Sequence, residues 1–168
     1  CAPIASSALP SWMRESMHVR ALEPVDFAVV AAGAVRVIGV DAGTIVTRAL
    51  VGEPLRRDGK SCADPGRDLA KLGVIERHRG TGRVGVGFAQ GFGLQAGALA
   101  SSHAHDAHNI VVIGMTDEDM AAAANRLREI GGGQVVVMDG RVIAELPCPI
   151  GGLLSDLTFE EVAERTRI

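Results

Sequence analysis

Between Gly97 and Gly114 the chain reads Gly97-Ala-Leu-Ala-Ser-Ser-His-Ala-His-Asp-Ala-His-Asn-Ile-Val-Val-Ile-Gly114, two apolar arms around a polar middle. Each arm is short enough for a buried strand and the middle is rich in turn formers, so the stretch predicts a strand, a turn and a second strand. A sheet becomes the framework. His103, His105, Asp106, His108 and Asn109 crowd into the turn, and three of the chain's five histidines are among them. Imidazoles and a carboxylate are thereby expected at one sheet edge, where function gathers. A helical turn would put His105 and His108 on one face, an extended one His103 and His105. Either pairing suits a metal ion or a general base oriented by a carboxylate. The competing reading is a turn in which Asp106 and Asn109 bond their own main chain.

The flanking sequence fills out an α+β fold: a mixed, mostly antiparallel sheet of about eight strands built from hairpins, with two or three packed helices. Residues 1–22 read as an Ala, Ser and Pro-rich connector, or the end of a preceding domain, and 23–168 as the domain itself. Asp26–Val30, Val35–Val40 and Thr44–Val51 are expected to form a small meander of strands, and the charged stretch 52–68, broken by Pro54, Gly59, Pro65 and Gly66, a surface loop. Leu69–Ile75 is a strand ending in Glu76-Arg77-His78, a second candidate site because side chains at a strand end project past the sheet; the alternative is a surface Glu76–Arg77 salt bridge. Gly80-Thr-Gly82-Arg-Val-Gly85 matches the dinucleotide fingerprint, but the period-two, glycine-rich run that follows is not a helix, so a hairpin is expected and the cofactor rejected. Thr116 and Asp119 cap a helix with apolar spacing from Met120 to Ile130, stopped by Gly131-Gly-Gly133. Asp139-Gly140 joins strands Gln134–Met138 and Arg141–Leu146, and Thr158-Phe-Glu-Glu161 caps a last helix.

Composition narrows the class. With 168 residues, 47% of them hydrophobic, the chain buries a proper core; a formal charge of −3 and 3% aromatics exclude a nucleic-acid surface. No apolar run approaches the roughly 20 residues of a membrane helix, and residues 1–22 are not expected to act as a signal peptide, since Arg14-Glu15 interrupts them before any long apolar core forms. Cys1, Cys62 and Cys148, odd in number and far apart, fit free thiols in a reducing, cytoplasmic setting. Neither His-x-Glu of the zinc cytidine deaminases nor a Gly-x-Ser-x-Gly elbow is present. The chain starts with Cys and ends without a helix stop, as expected of a piece cut from something larger.

Glu76-Arg77-His78, Gly91-Phe-Gly-Leu94, Gly97-Ala98, Ala100-Ser-Ser102, His105-Asp-x-His-Asn109, Asp117 to Met120, Gly131-Gly132-Gly133 and Leu146-Pro-x-Pro-Ile150 with Gly152-Leu153 fall in one order at one spacing. This set resembles the C-terminal domain of bacterial and archaeal adenine deaminases, in register from about residue 24 to 157. His103, Ala107 and Cys148 depart from that pattern, where a small apolar residue, a serine and a leucine are expected. The resemblance implies a larger amidohydrolase that converts adenine and water to hypoxanthine and ammonia, with a divalent metal, manganese or iron, held by an N-terminal barrel this chain lacks. It implies adenine as the substrate, the barrel as partner, a homo-oligomer, and an isolated chain without turnover. His105, Asp106, His108 and Asn109, with Glu76 and His78, are the residues expected to border the active site. The alternative is a structural or oligomerisation module with no direct role, for which the apolar Pro147–Leu154 loop and the Trp12 segment speak. A third reading makes the chain an independent metalloenzyme using His103, His105 and His108.

Overall fold

The computed structural model describes residues 9–31 and 33–167. The first eight residues of the expected connector with Cys1, and also Ala32 and Ile168, lie outside the described residues. The strands are β1 (Val29–Val30), β2 (Val35–Gly39), β3 (Arg48–Gly52), β4 (Leu55–Arg57), β5 (Lys60–Cys62), β6 (Leu69–Ile75), β7 (Val84–Gln90), β8 (Ala98–Ser101), β9 (Ile110–Gly114), β10 (Gly133–Met138) and β11 (Arg141–Pro147); the helices are α1 (Asp117–Glu129) and α2 (Phe159–Arg165). Eight strands form one sheet in the order β11-β10-β8-β9-β6-β7-β2-β3, and β1-β5-β4 form a small second one. Within the large sheet β2 runs parallel to β7 and every other pairing is antiparallel. The fold is α+β, as the pattern of short apolar runs predicts.

The centre is a chain of hairpins. β6 and β7 join through the turn containing Gly80 and Gly82, both left-handed at φ 62° and 68°; β8 and β9 flank the histidine-rich turn and pair directly. β10 and β11 join through Asp139 and Gly140, at φ 51° and 72°, as a type I′ turn requires. α1 starts at Thr116, whose Oγ1 accepts the Asp119 N–H at 3.2 Å. Its Met120, Ala123, Ala124 and Leu127 are buried against Val135, Ala100 and Val112 of the sheet. Burying each large side chain of this kind contributes about 1.5–3 kcal/mol. α2 opens on a capping box between Thr158 and Glu161.

The N-terminal part departs from the sequence reading. Instead of a strand over 26–30, Pro24–Phe27 is a 3-10 turn and β1 begins at Val29. β1 pairs with β5, so β1, β2 and β3 make no meander, although β2 and β3 do form a hairpin. β3 starts at Arg48, four residues later than expected from Thr44. The stretch 52–68 is not all loop: it holds β4, β5 and a 3-10 turn, Pro65–Arg67. Ahead of these, Val19 and Leu22 enter the main core, and Asn125 of α1 holds Leu22 at both backbone groups, accepting its N–H at 2.9 Å and donating to its carbonyl at 2.8 Å. Phe27 lies over Gly73, where an added Cβ would stand 2.7 Å from the ring. No described helix is long and apolar enough to cross a membrane.

Candidate functional site

β6 and the β8–β9 pair deliver the polar clusters to the same end of the sheet. Inward positions on β6 alternate as Leu69, Lys71, Gly73 and Ile75, and the same parity carries Arg77 into the protein, where it is 2% exposed. Its guanidinium donates to three carbonyls on three separate segments: through Nε to His108, through Nη1 to Ser16 at 3.0 Å and through Nη2 to Gly151 at 3.1 Å. Burial pushes this guanidinium's pKa down, yet arginine stays charged at any working pH. Arg77 therefore forms no surface salt bridge with Glu76; it ties the N-terminal segment, the β8–β9 turn and the 147–154 loop together.

Glu76 turns the other way. Its Oε1 accepts the N–H groups of His78 at 2.6 Å and Arg79 at 2.8 Å, and its Oε2 accepts Thr81 Oγ1 at 2.8 Å and Thr81 N–H at 3.2 Å. Desolvation pulls the carboxyl upward, but the hydrogen bonds from Thr81, Arg79 and His78 outweigh it and hold the pKa at about 2. Glu76 is thus an anionic organiser of the 78–81 turn. His78, beside it, donates from Nε2 to the Ala107 carbonyl at 2.9 Å, which fixes its proton on Nε2 and docks the β6 end against the histidine-rich turn.

The turn itself is tightly wound. His108 N–H donates to the Ala104 carbonyl at 2.7 Å and Ala107 N–H to that of His105 at 3.0 Å. Asp106 and His108 sit in the left-handed region at φ 68° and 48°. Aspartate and histidine enter that region more readily than most residues, yet still at a cost of about 1–2 kcal/mol each. At the tip, His105 Nδ1 and Asp106 Oδ1 are 3.1 Å apart with both side chains more than nine-tenths exposed. His108 and Asn109 lie deeper: His108 Nδ1 and Asn109 Oδ1 are shielded from solvent with no hydrogen-bond partner. His103 leaves the group, its Nε2 donating to the Leu153 carbonyl at 2.9 Å.

The six residues singled out by the sequence are thereby divided. His78 and the 105–109 turn are brought together; Glu76 is taken up by its own turn. Among the described residues no three His, Cys, Asp or Glu side chains are grouped to hold a metal ion. This overturns the reading of His103, His105 and His108 as a ligand set and gives a resident metal no fit here. Beside His78 opens a largely apolar cleft of about 560 Å³, lined by Trp12, Met13, His18, His78, Leu153 and Leu154. Sequence reasoning missed Arg77 and the Ser16–His18 segment; the alternation running on past Ile75 was the available sign for Arg77.

Comparison with known proteins is consistent along most of the chain. The family model described as adenine deaminase C-terminal domain matches residues 44–167. The chain is 51% identical over 148 residues to "Adenine deaminase" of Oleidesulfovibrio alaskensis, covering 88% of this chain and 26% of that protein. It is 43% identical over 160 residues to "Adenine deaminase" of Desulfatibacillum aliphaticivorans, 95% of this chain and 28% of that protein. With "Adenine deaminase" of Moorella thermoacetica it shares 46% over 164 residues, 94% and 28% of the two. The chain thus spans about a quarter of the length of the curated relatives it matches.

Proposed function

This chain belongs to the adenine deaminase C-terminal domain family, and from that premise we propose that it works as one part of a larger enzyme that adds water to adenine and releases ammonia, leaving hypoxanthine. The observation that carries its role is the convergence of His78 and the 105–109 turn at one sheet end, next to the apolar cleft. In this reading that end borders the substrate, and the remaining three-quarters of the polypeptide closes over it. A divalent metal, manganese or iron, would be held by residues outside those described, and no step through it is assigned to this chain.

Hydrolysis at the amine-bearing carbon requires a proton taken from the attacking water and one given to the departing amine. His105, oriented by Asp106, has a ring free to move such a proton, whereas His78 and His103 each commit Nε2 to a carbonyl. His108 and Asn109 lie deeper in the same turn, with His108 Nδ1 and Asn109 Oδ1 shielded from solvent. The free thiols Cys62 and Cys148 suit a reducing, cytoplasmic setting.

The test uses the whole deaminase carrying this segment. His105→Ala is expected to lower kcat about a hundredfold, the low end for loss of a general acid or base, and the 168-residue chain alone, given metal and adenine, is expected to show no turnover. A second reading, a docking module with no part in the chemistry, is favoured by Trp12 and Leu154, which line the cleft while 67% and 61% exposed. An unchanged kcat in both His105→Ala and His108→Ala would decide for it.

A further inference from the structure

The histidine-rich turn and the cleft of about 560 Å³ are stitched to one another by hydrogen bonds. On either side of the turn's tip, His103 bonds the carbonyl of Leu153 and Ala107 accepts from His78, both at 2.9 Å, and Leu153 and His78 are cleft walls. The Arg77 guanidinium joins His108 of the turn to Ser16 and Gly151, two further wall residues. The opposite banks of the cleft are also joined, Gly151 N–H donating to the Met13 carbonyl at 2.6 Å and Arg14 pairing with Asp156 at 3.0 Å. The cleft is therefore preformed, as small-molecule sites usually are.

Its size and lining do not suit adenine alone. The volume falls within the range of about 300–1,000 Å³ that accommodates drug-sized ligands, whereas adenine is a single compact ring system whose nitrogens call for hydrogen-bonding walls. The walls here are mostly apolar, with Trp12, Met13, Ile150, Leu153 and Leu154. Trp12 is largely exposed, so its indole offers a flat face to a guest. Two polar features favour a guest that carries nitrogen. Ser16 Oγ is shielded from solvent with no hydrogen-bond partner among the described residues, an unmatched group that an N–H can satisfy. Glu15 brings a carboxylate to the lining, the charge complement of an alkylammonium.

We propose that the enzyme also acts on adenines whose departing nitrogen carries an apolar group, alkyl or arylmethyl, and that the cleft seats that group. The proposal rests on the deaminase reading above, in which the 105–109 turn serves the departing amine. A substituent on that nitrogen then projects toward the cleft to which the turn is bonded. The reaction is the same hydrolysis: water oxygen bonds to the ring carbon, the carbon–nitrogen bond breaks, and the nitrogen leaves with the electron pair and a proton as a primary amine. Hypoxanthine remains, and no oxidant or reductant is consumed. The freed amine takes up a further proton at neutral pH, which gives Glu15 a cation to receive.

The test compares adenine with N6-butyladenine and N6-benzyladenine in the whole deaminase carrying this segment, following hypoxanthine and the free amine together. Because one added methylene in an apolar pocket is worth about tenfold or more, kcat/KM for N6-benzyladenine is expected to exceed that for adenine by at least about tenfold. Trp12→Ala and, independently, Leu154→Asp are expected to lower that ratio about tenfold, and a fall in either supports the cleft as the seat of the substituent. Adenine turned over with no gain for the substituted bases, or a ratio unmoved by both variants, overturns the proposal and leaves the deaminase reading standing. So does an equal loss for every base in both variants, the result expected if the cleft holds another part of the polypeptide. If no base is turned over, the deaminase reading falls and this proposal falls with it.

Discussion

Replacing Arg77 by methionine removes the three-way tie while keeping much of the side chain's bulk. Hydrogen bonds from a charged group contribute about 1.5–3 kcal/mol each, and a buried carbonyl left without its donor costs about 1–3 kcal/mol. Three carbonyls lose their donor, those of Ser16, His108 and Gly151. Against that, the variant no longer has to desolvate a guanidinium that is 2% exposed, and removing the charge itself recovers part of the loss. A net destabilisation of about 3 kcal/mol follows, or a fall in Tm of about 6–12 °C for a chain of this length. Arg77→Lys keeps the charge but reaches fewer of the carbonyls, so it should lose about 2 kcal/mol. Urea unfolding followed by Trp12 fluorescence and by dichroism measures both. Hydrogen exchange should show the damage concentrated in residues 104–109 and 149–154. A loss under about 1 kcal/mol for Arg77→Met, with protection of those loops intact, would refute the idea that one guanidinium holds three segments together.

Glu76 should leave a signature in the acid limb of stability. Its pKa is lowered from 4.5 to about 2, so its contribution is full above the unfolded value and disappears as pH falls through that window. Glu76→Gln should flatten the pH dependence of the urea midpoint between those values; an unaltered slope would mean its turn does not need the charge. The buried pair Lys71–Asp117 should respond asymmetrically. Lys71 Nζ is 2.6 Å from Asp117 and also donates to the Phe27 carbonyl, with the lysine side chain 2% exposed and the aspartate 13%. Asp117→Ala strands the ammonium and should cost about 3 kcal/mol, whereas Lys71→Met leaves a carboxylate in the first turn of α1, where it is tolerated, and should cost under half as much. Equal losses in thermal melts would count against this account.

Local chemistry made some of this architecture readable and hid the rest. α1 was legible because Thr116, Asp119 and the glycines at 131–133 mark both ends of one apolar stripe, and the β10–β11 hairpin because Asp139-Gly140 stands between alternating residues. The same two-residue turn occurs at Asp58-Gly59, at φ 50° and 73°, between β4 and β5. The sequence hides it because the stretch is charged and broken by Pro54, Gly59, Pro65 and Gly66, which reads as surface loop. The parallel seam of β2 with β7 is a long-range pairing that no local pattern encodes. At the candidate site, the cluster's position on a strand–turn–strand unit was legible, while the partners of Glu76 and Arg77 were not. Apart from the Thr81 hydroxyl, those partners are backbone groups, and any residue type supplies a backbone group.

Phe27 lying over Gly73, with Leu22 and Val19 wedged beside α1, has a practical corollary for anyone cutting this protein into pieces. The stretch that the family match recognises starts at residue 44, but side chains from before that point are buried in the same interior as Met120 and Leu127. Loss of Phe27 alone should cost about 3–5 kcal/mol, the usual figure for emptying such a site, which is comparable with the whole stability margin of many domains. A cut at residue 44 would therefore remove Val19, Leu22 and Phe27 from an interior they help to fill.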